Sequence, residues 1–359
     1  MMSDGFPEGG RTLLGVDRDI AWAHGRYYYR NLSFMHFRQA VLIYNPASGR
    51  KRNKRERTVL RARDAMKPSV EKVHLARTSC QGEATRLAAK AVADGCDLVA
   101  SCGGDGTINE AIRGMAGSDV PLLALPAGTA NVLAEEVSFP VDPAKTAALL
   151  PSLVAVKVPL GRVRKRSVDE SSRVFLLMCG VGVDADIVYH LNTRLKKYLG
   201  KGAYVLGSLE QFQKRKFQHF DVRINGEIHD CTFALISKSR RYAGKLIIAS
   251  GAHLLARHFQ VVLFHGETPL RYVGYLAQVA TGTLDQFEGV TFHRTDCVEL
   301  LPRSGGQVHI EVDGEYAGRL PATVETIPDA LTLLLPREYV ERRPSVLLRS
   351  EAVSSASRL

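Results

Sequence analysis

The ten residues Ser101-Cys102-Gly103-Gly104-Asp105-Gly106-Thr107-Ile108-Asn109-Glu110 constrain this chain more than any other stretch. They follow a short apolar run, Asp97-Leu98-Val99-Ala100, which reads as a buried strand, and they lead into a helical pattern. Three glycines in four positions allow a tight turn and a close backbone approach to a ligand, because no Cβ stands in the way. Such a turn at the head of a helix aims free N–H groups at an anion, typically phosphate. Asp105 is the unusual member, since a carboxylate repels phosphate unless a cation or a strong donor stands between them. Thr107-Ile108-Asn109-Glu110 also reads as a capping box, which accounts for Thr107 and Glu110 by helix initiation alone. It leaves three glycines around an acid unexplained.

The surroundings of this loop alternate strand and helix. Ala40 to Tyr44 reads as a buried strand, followed by the turn Asn45-Pro46-Ala47-Ser48-Gly49 and a basic helix from Lys54 to Met66. A second strand at Val70 to Leu75 precedes a helical spacing over Gln81 to Ala93. Beyond the glycine loop come a helix to about Met115, a strand at Pro121 to Leu125, and the turn Pro126-Ala127-Gly128-Thr129-Ala130-Asn131. This alternation predicts a parallel sheet whose ligands bind at the carboxyl ends of the strands, where all three special turns lie. After about Leu153 the texture changes to short β-branched runs such as Val174 to Met178, Phe220 to Ile224, Cys231 to Ile236 and Leu331 to Leu335. These predict a mostly antiparallel β domain, interrupted by helical stretches at Thr193 to Lys216 and Leu270 to Thr281.

Length and charge narrow the class. A chain of 359 residues exceeds one ordinary core, so two domains are expected. Forty-eight Lys and Arg against 37 Asp and Glu give a net charge of +11, which favours an anionic partner. Aromatic residues are not interleaved with the basic runs, so nucleic acid is not the expected partner. The six cysteines form no Cys-x-x-Cys pair, and reduced thiols in cytoplasm are the economical reading. The longest apolar run, Val174 to Val183, falls short of the ~18 residues a membrane span requires. Any lipid is therefore expected to be handled peripherally, at an anionic membrane surface. Residues 1–37 lack a clear period and read as a poorly ordered extension, with Met35 a candidate start. The polar, serine-rich tail at 346–359 reads as disordered.

Asn45 to Gly49 is not a Walker A loop, because the Gly-x-x-x-x-Gly-Lys spacing is missing, and alone it is an ordinary turn. Taken with the glycine loop and Gly128-Thr129-Ala130-Asn131, it resembles the diacylglycerol kinase catalytic family, the lipid kinases that include bacterial diacylglycerol kinases and sphingosine kinases. The resemblance runs from roughly Arg38 to Tyr339 and includes Asp313-Gly314-Glu315, in itself a bare hairpin signal. It implies a nucleotide-binding α/β domain with a mostly parallel sheet over 38–152, completed by about 337–345, and a C-terminal antiparallel β-sandwich, lipid-binding domain over 153–336. It implies ATP phosphates against Asn45, Pro46, Ala47, Ser48 and Gly49 and against Gly103, Gly104, Gly106, Thr107, Asn109 and Glu110. Thr78, Gly128, Thr129 and Asn131 match further positions that line the nucleotide. The catalytic candidates are Glu315 as proton acceptor, Asp313 as partner of nucleotide-bound Mg²⁺, and Asp105, which that Mg²⁺ would shield from the phosphates.

The same resemblance carries a lipid-facing role to Asp184 and Asp186, for which surface turn acids are the competing account. Leu195, Leu199 and Tyr204, among basic residues, form a stripe that rests either on an anionic bilayer or on its own domain. Three acids found in bacterial relatives are replaced here by Val132, Pro159 and Ala256, which implies loss of a structural Mg²⁺ and leaves the lipid open. The expected activity is ATP-dependent phosphorylation of a lipid hydroxyl, that of diacylglycerol or a sphingoid-type lipid. An NAD kinase, which also carries a Gly-Gly-Asp-Gly-Thr loop, and a non-catalytic lipid or nucleotide sensor are the alternatives. The sequence leaves a homodimer open.

Overall fold

The computed structural model describes residues 29–30, 36–49, 55–165, 172–183, 217–303 and 307–342. The first sheet begins with a two-residue strand β1 (Tyr29–Arg30) and continues with β2 (Phe37–Tyr44). Helix α1 (Arg55–Met66), β3 (Val70–Arg77), α2 (Glu83–Ala93), β4 (Leu98–Gly103), α3 (Asp105–Met115) and β5 (Leu122–Pro126) follow in strict alternation. β3, β2, β4 and β5 lie side by side and parallel. Every residue of β4 and of β5 is buried, as expected for strands covered on both faces. Two short helices, α4 (Val132–Val137) and α5 (Pro143–Ala148), complete this unit.

The second unit is reached along β6 (Leu153–Lys165) and left along β19 (Ala322–Pro336), which pair antiparallel over most of their length. The half of β19 nearest its end joins the first sheet, parallel to β5 at Leu333 and Leu122. Its other half pairs with β16 (Cys297–Pro302), which pairs with β9 (Phe220–Ile224) and through it with β10 (Glu227–Cys231). The register shifts between Ile327 and Leu331, and Asp329 there takes a left-handed conformation (φ 50°). This irregularity marks where the strand passes from one unit to the other.

A separate antiparallel sheet of six strands faces this extension. Short β7 (Arg173–Phe175) pairs with β6, and β8 (Met178–Gly182) enters the second sheet beside β11 (Phe233–Ser237). A small hairpin, β12 (Arg241–Tyr242) and β13 (Leu246–Ile247), precedes β14 (Phe259–Phe264) and the helix α6 (Pro269–Thr281). β15 (Val290–Thr295), β17 (His309–Val312) and β18 (Glu315–Arg319) complete the order β15-β14-β11-β8-β17-β18. Phe175, Val181, Phe220, Val222, Phe259 and Ile310, all fully buried, form the core between the two faces. The helix α7 (Arg337–Glu341) buries Tyr339.

The α/β-plus-sandwich architecture agrees with the sequence expectation; three details differ. Tyr29 and Arg30, read within the extension, pair with Val156 and Ala155, and β2 starts at buried Phe37 rather than at Ala40. The run Val174 to Met178 is two strands, because the amides of Leu176 and Leu177 turn away to a side chain described below. A cut at 152/153 with a return at 337 does not describe the junction, since β6 and β19 each belong to both units. The helical stretch at Thr193 to Lys216 and the tail lie outside the described residues.

Candidate active site

Three turns leave the carboxyl ends of β2, β4 and β5 and meet. The Asn45 N–H donates to the Cys102 carbonyl (3.3 Å), and the Asn45 side-chain oxygen closes its own turn by accepting from Ala47 N (2.8 Å). Arg55, buried at the head of α1, donates to the carbonyls of Ser48 and Ala127 (2.7 Å to the latter), which ties the first turn to the third. Ala127 N in turn donates to the Gly103 carbonyl at 2.7 Å. Glycine is required at the contacts themselves. A Cβ on Gly128 would stand 2.4 Å from the Gly104 Cα, and one on Gly49, at φ +66°, would stand 2.5 Å from the Ala127 oxygen. The turns touch backbone to backbone.

Helix α3 starts at Asp105 with Gly104 as its N-cap, and no side chain caps it. Its first-turn amides thus lack the usual side-chain acceptor, and with the glycine cradle they fit an anion such as phosphate. Asp105 does not occupy this cradle. Its Oδ1 accepts from Val132 N at 2.7 Å, at the head of α4. Burial pushes its carboxyl up from the ordinary carboxylate range, and the hydrogen bonds from the Val132 and Leu133 amides oppose that rise. Asp105 therefore locks the second turn to the third, and no Mg²⁺ is needed to explain it beside a phosphate site.

The capping box is corrected as well. Thr107 and Glu110 lie inside the helix, and the Glu110 carboxylate accepts from Gly82 N (2.8 Å) and Ala84 N (3.1 Å), so it caps α2 instead. Thr78 sits beside the first turn, its N–H on the Tyr44 carbonyl at 2.9 Å. Asn131, at φ 50°, holds its own turn by accepting from Gly128 N (2.8 Å), while Thr129 is exposed at the rim. Asn109 is the exception among these polar groups. It is 2% exposed, yet neither its side-chain nitrogen nor its oxygen has a partner among the described residues. A buried amide left so is costly unless a ligand or water completes it.

The second unit contributes the hairpin between β17 and β18. Asp313 (φ 46°) and Gly314 (φ 81°) form its two-residue turn, of the type that left-handed residues favour. The Asp313 carboxylate accepts from the amides of Leu176 (3.0 Å), Leu177 (3.0 Å) and Met178 (2.9 Å), while Glu311 accepts from Gly314 N at 2.6 Å. Burial pushes the Asp313 carboxyl up to about 6 against those hydrogen bonds. The locked turn presents Glu315. Its Oε2 receives Arg113 Nη1 at 2.9 Å and lies 3.7 Å from Arg173 Nη1, and its Oε1 would be 3.5 Å from a Cβ on Gly106. Glu315 thus crosses from the second unit to the glycine loop, whereas Asp313 is spent on backbone. Asp184 and Asp186 lie outside the described residues.

Sequence reasoning passed over Arg113, Arg173 and Glu136. The spacing Asp105, Asn109, Arg113 already placed the first of these on one helix face. Glu136 carried no such signal. Fully buried on α4, it accepts from Ser239 Oγ (3.0 Å), Arg240 N (3.0 Å), Arg240 Nε (3.2 Å) and the Tyr339 hydroxyl (3.2 Å), which joins the third turn's helix to the second unit and to α7. Val132, Pro159 and Ala256 are buried, and the Ala256 carbonyl accepts from the ammonium of Lys238, a fully buried lysine that burial pushes down to about 7. Among the described residues no group of three or more His, Cys, Asp and Glu is arranged to hold a metal ion.

Comparison with known proteins agrees with the two-unit fold. Residues 39–163 match the diacylglycerol kinase catalytic domain, and residues 178–335 match the YegS C-terminal NAD kinase beta sandwich-like domain. A diacylglycerol kinase of Bacillus subtilis is 24% identical over 85% of this chain and 99% of its own length. One of Mycobacterium tuberculosis is 27% identical over 71% of this chain and 82% of its own. A crystal structure of a diacylglycerol kinase from Bacillus anthracis superposes with a TM-score of 0.66 at 18% identity, covering 84% of this chain and 98% of that one. With two successive family models over one continuous fold, the chain is built of a diacylglycerol kinase catalytic domain followed by a YegS C-terminal NAD kinase beta sandwich-like domain.

Proposed function

We propose that this protein is an ATP-dependent lipid kinase that transfers the γ-phosphoryl group to a lipid hydroxyl, with diacylglycerol the first candidate acceptor. One observation carries the reading: the Glu315 carboxylate, from the far unit, stands beside Gly106 of a backbone cradle that fits phosphates. In this reading ATP lies against Asn45 to Gly49 and the open amides after Gly103 and Gly104. Thr78, Thr107, Asn109, Glu110, Gly128, Thr129 and Asn131 shape its surroundings. Phosphoryl transfer demands mainly positioning and charge balance, and a lipid hydroxyl is a weak nucleophile that has to be oriented. The acceptor oxygen forms the new bond to phosphorus, the bond to the bridging oxygen of ADP breaks, and the hydroxyl proton passes to Glu315.

Mg²⁺ belongs to this reading as the counter-ion that balances the charge of the ATP phosphates. Asp313 does not fit it as a direct ligand while both its oxygens accept amides, so its part is to fix the hairpin that carries Glu315. Asp184 and Asp186 remain proposed contacts of the acceptor head group. The net charge of +11 favours an anionic partner, in this reading the membrane surface at which a cytoplasmic protein meets its lipid. No helix among the described residues is long and apolar enough to cross a membrane. An NAD kinase-like activity is the second reading, favoured by the description of the sandwich domain that residues 178–335 match.

Incubation with labelled ATP and Mg²⁺, with a total lipid extract beside NAD, separates these readings. Label in a lipid-soluble product is expected, and label in NAD alone would overturn the lipid reading.

A further inference from the structure

Arg113 and Arg173 have no assigned part, yet both meet Glu315, the side chain that crosses from the second unit to the glycine loop. Arg113 lies on α3 two turns beyond Gly106, and helical side chains lean toward the helix N-terminus. The guanidinium accordingly reaches back past Asn109 to Glu315, at 2.9 Å, with the two side chains 18% and 17% exposed. Both arginine contacts fall on Oε2, and Oε1 is the oxygen turned to Gly106. One turn nearer Gly106 on the same helix stands Asn109, buried and without a partner for either side-chain atom among the described residues. Two guanidiniums against one carboxylate leave net positive charge at the mouth of an anion cradle, which suits an arriving phosphoryl group.

We infer that Arg113 is a positioning residue: by holding Oε2 it fixes Glu315 so that Oε1 alone faces the glycine loop and receives the acceptor hydroxyl. Arg173 supports the same oxygen from β7 at longer range. The competing account is an ion pair that merely ties the two units together, and partly exposed pairs contribute little to stability. The two accounts differ in what they change. A tie between units would act on stability and on ATP affinity alike. A positioning residue acts on turnover, and only while Glu315 is present to be positioned. The inference rests on the phosphotransferase reading above, but not on the identity of the acceptor.

The test is a double-mutant cycle on full-length protein, with ATP and whichever acceptor the wild type labels, diacylglycerol in mixed micelles or NAD. Arg113→Gln is expected to lower kcat about 10- to 100-fold with the ATP KM within about twofold. In a Glu315→Gln background the same change is expected to cost less than about twofold, because the group it positions has gone. Arg113→Lys, which keeps the charge but loses the planar fork, is expected to recover only part of kcat and keeps the test usable if the glutamine variant does not fold. Full multiplicativity of the two substitutions, or an Arg113→Gln defect confined to the ATP KM, would overturn the inference while leaving the kinase reading intact. A wild type that labels neither acceptor would overturn both.

Discussion

The glycine turns of the first unit and the Asp313–Glu315 hairpin of the second face one cleft but follow opposite rules. In the turns the backbone itself lines the cleft: α3 has no side-chain cap, and the local acid, Asp105, is turned inward onto Val132. In the hairpin the backbone is spent, with Asp313 and Glu311 locking the turn from both sides, and a side chain, Glu315, is what the cleft receives. A backbone cradle tolerates change in most residues except the glycines that let two main chains touch. A presented carboxylate tolerates change around it only while its hydrogen-bonding supports survive.

That contrast breaks most sharply at Gly128. A Cβ there meets the Gly104 Cα at 2.4 Å, and main chain cannot rotate aside. Gly128→Ala is expected to reduce transfer from ATP by about 100-fold or more, since displacing a phosphate cradle by about 1 Å is enough. Labelled-ATP turnover at saturating lipid checks this, and near wild-type rates would mean the two turns do not form the phosphate site.

Glu315→Gln comes next, with a loss in kcat of about 10²-fold and little change in melting temperature. Retention of full transfer by this variant would remove Glu315 from the chemistry.

Asp313→Asn tests the support rather than the presented group. An amide offers one acceptor oxygen where the carboxylate serves three N–H donors, so a loss on the order of 1–3 kcal/mol in urea unfolding is expected. The wild type also carries a pH signature. A carboxyl raised from 3.8 to about 6 binds its proton more tightly in the native state, so its contribution to stability falls as pH rises from 3.8 to about 6 and is flat above. The asparagine variant should lack that slope.

The smallest expected effect at neutral pH is at Lys238, behind the cleft. Its ammonium, lowered from 10.5 to about 7 by burial, binds its proton less tightly in the folded state. Stability should therefore rise with pH between about 7 and 10.5 in the wild type, and Lys238→Met should abolish that rise. Unfolding curves at three pH values within the window decide it, and parallel behaviour of the two proteins would contradict the buried ammonium.

Much of this cleft was legible beforehand, and the misreadings share one cause. Glycine at 103, 104, 106 and 128 advertises backbone approach, and alternating strands place the turns at one sheet edge. The acids were harder. Asp105, Glu110 and Asp313 read as ligand-facing because a carboxylate in a turn can bind a cation, a phosphate partner or an amide. Each instead accepts amides from a segment distant in sequence: Val132, Gly82 with Ala84, and Leu176 to Met178. Nothing local distinguishes those partners. The double membership of β6 and β19 escaped for the same reason, since strand periodicity does not say which sheet a strand joins.

By itself the sequence determined the two-unit class, the parallel sheet of the first unit and the composition of the three turns, because periodicity and glycine placement act over a few residues. Only the tertiary structure decided where each carboxylate points and which arginines meet Glu315, one of them 202 positions away along the chain. Burial makes that division. A buried charged group is held by whichever donors packing brings to it, and packing is a property of the assembled core.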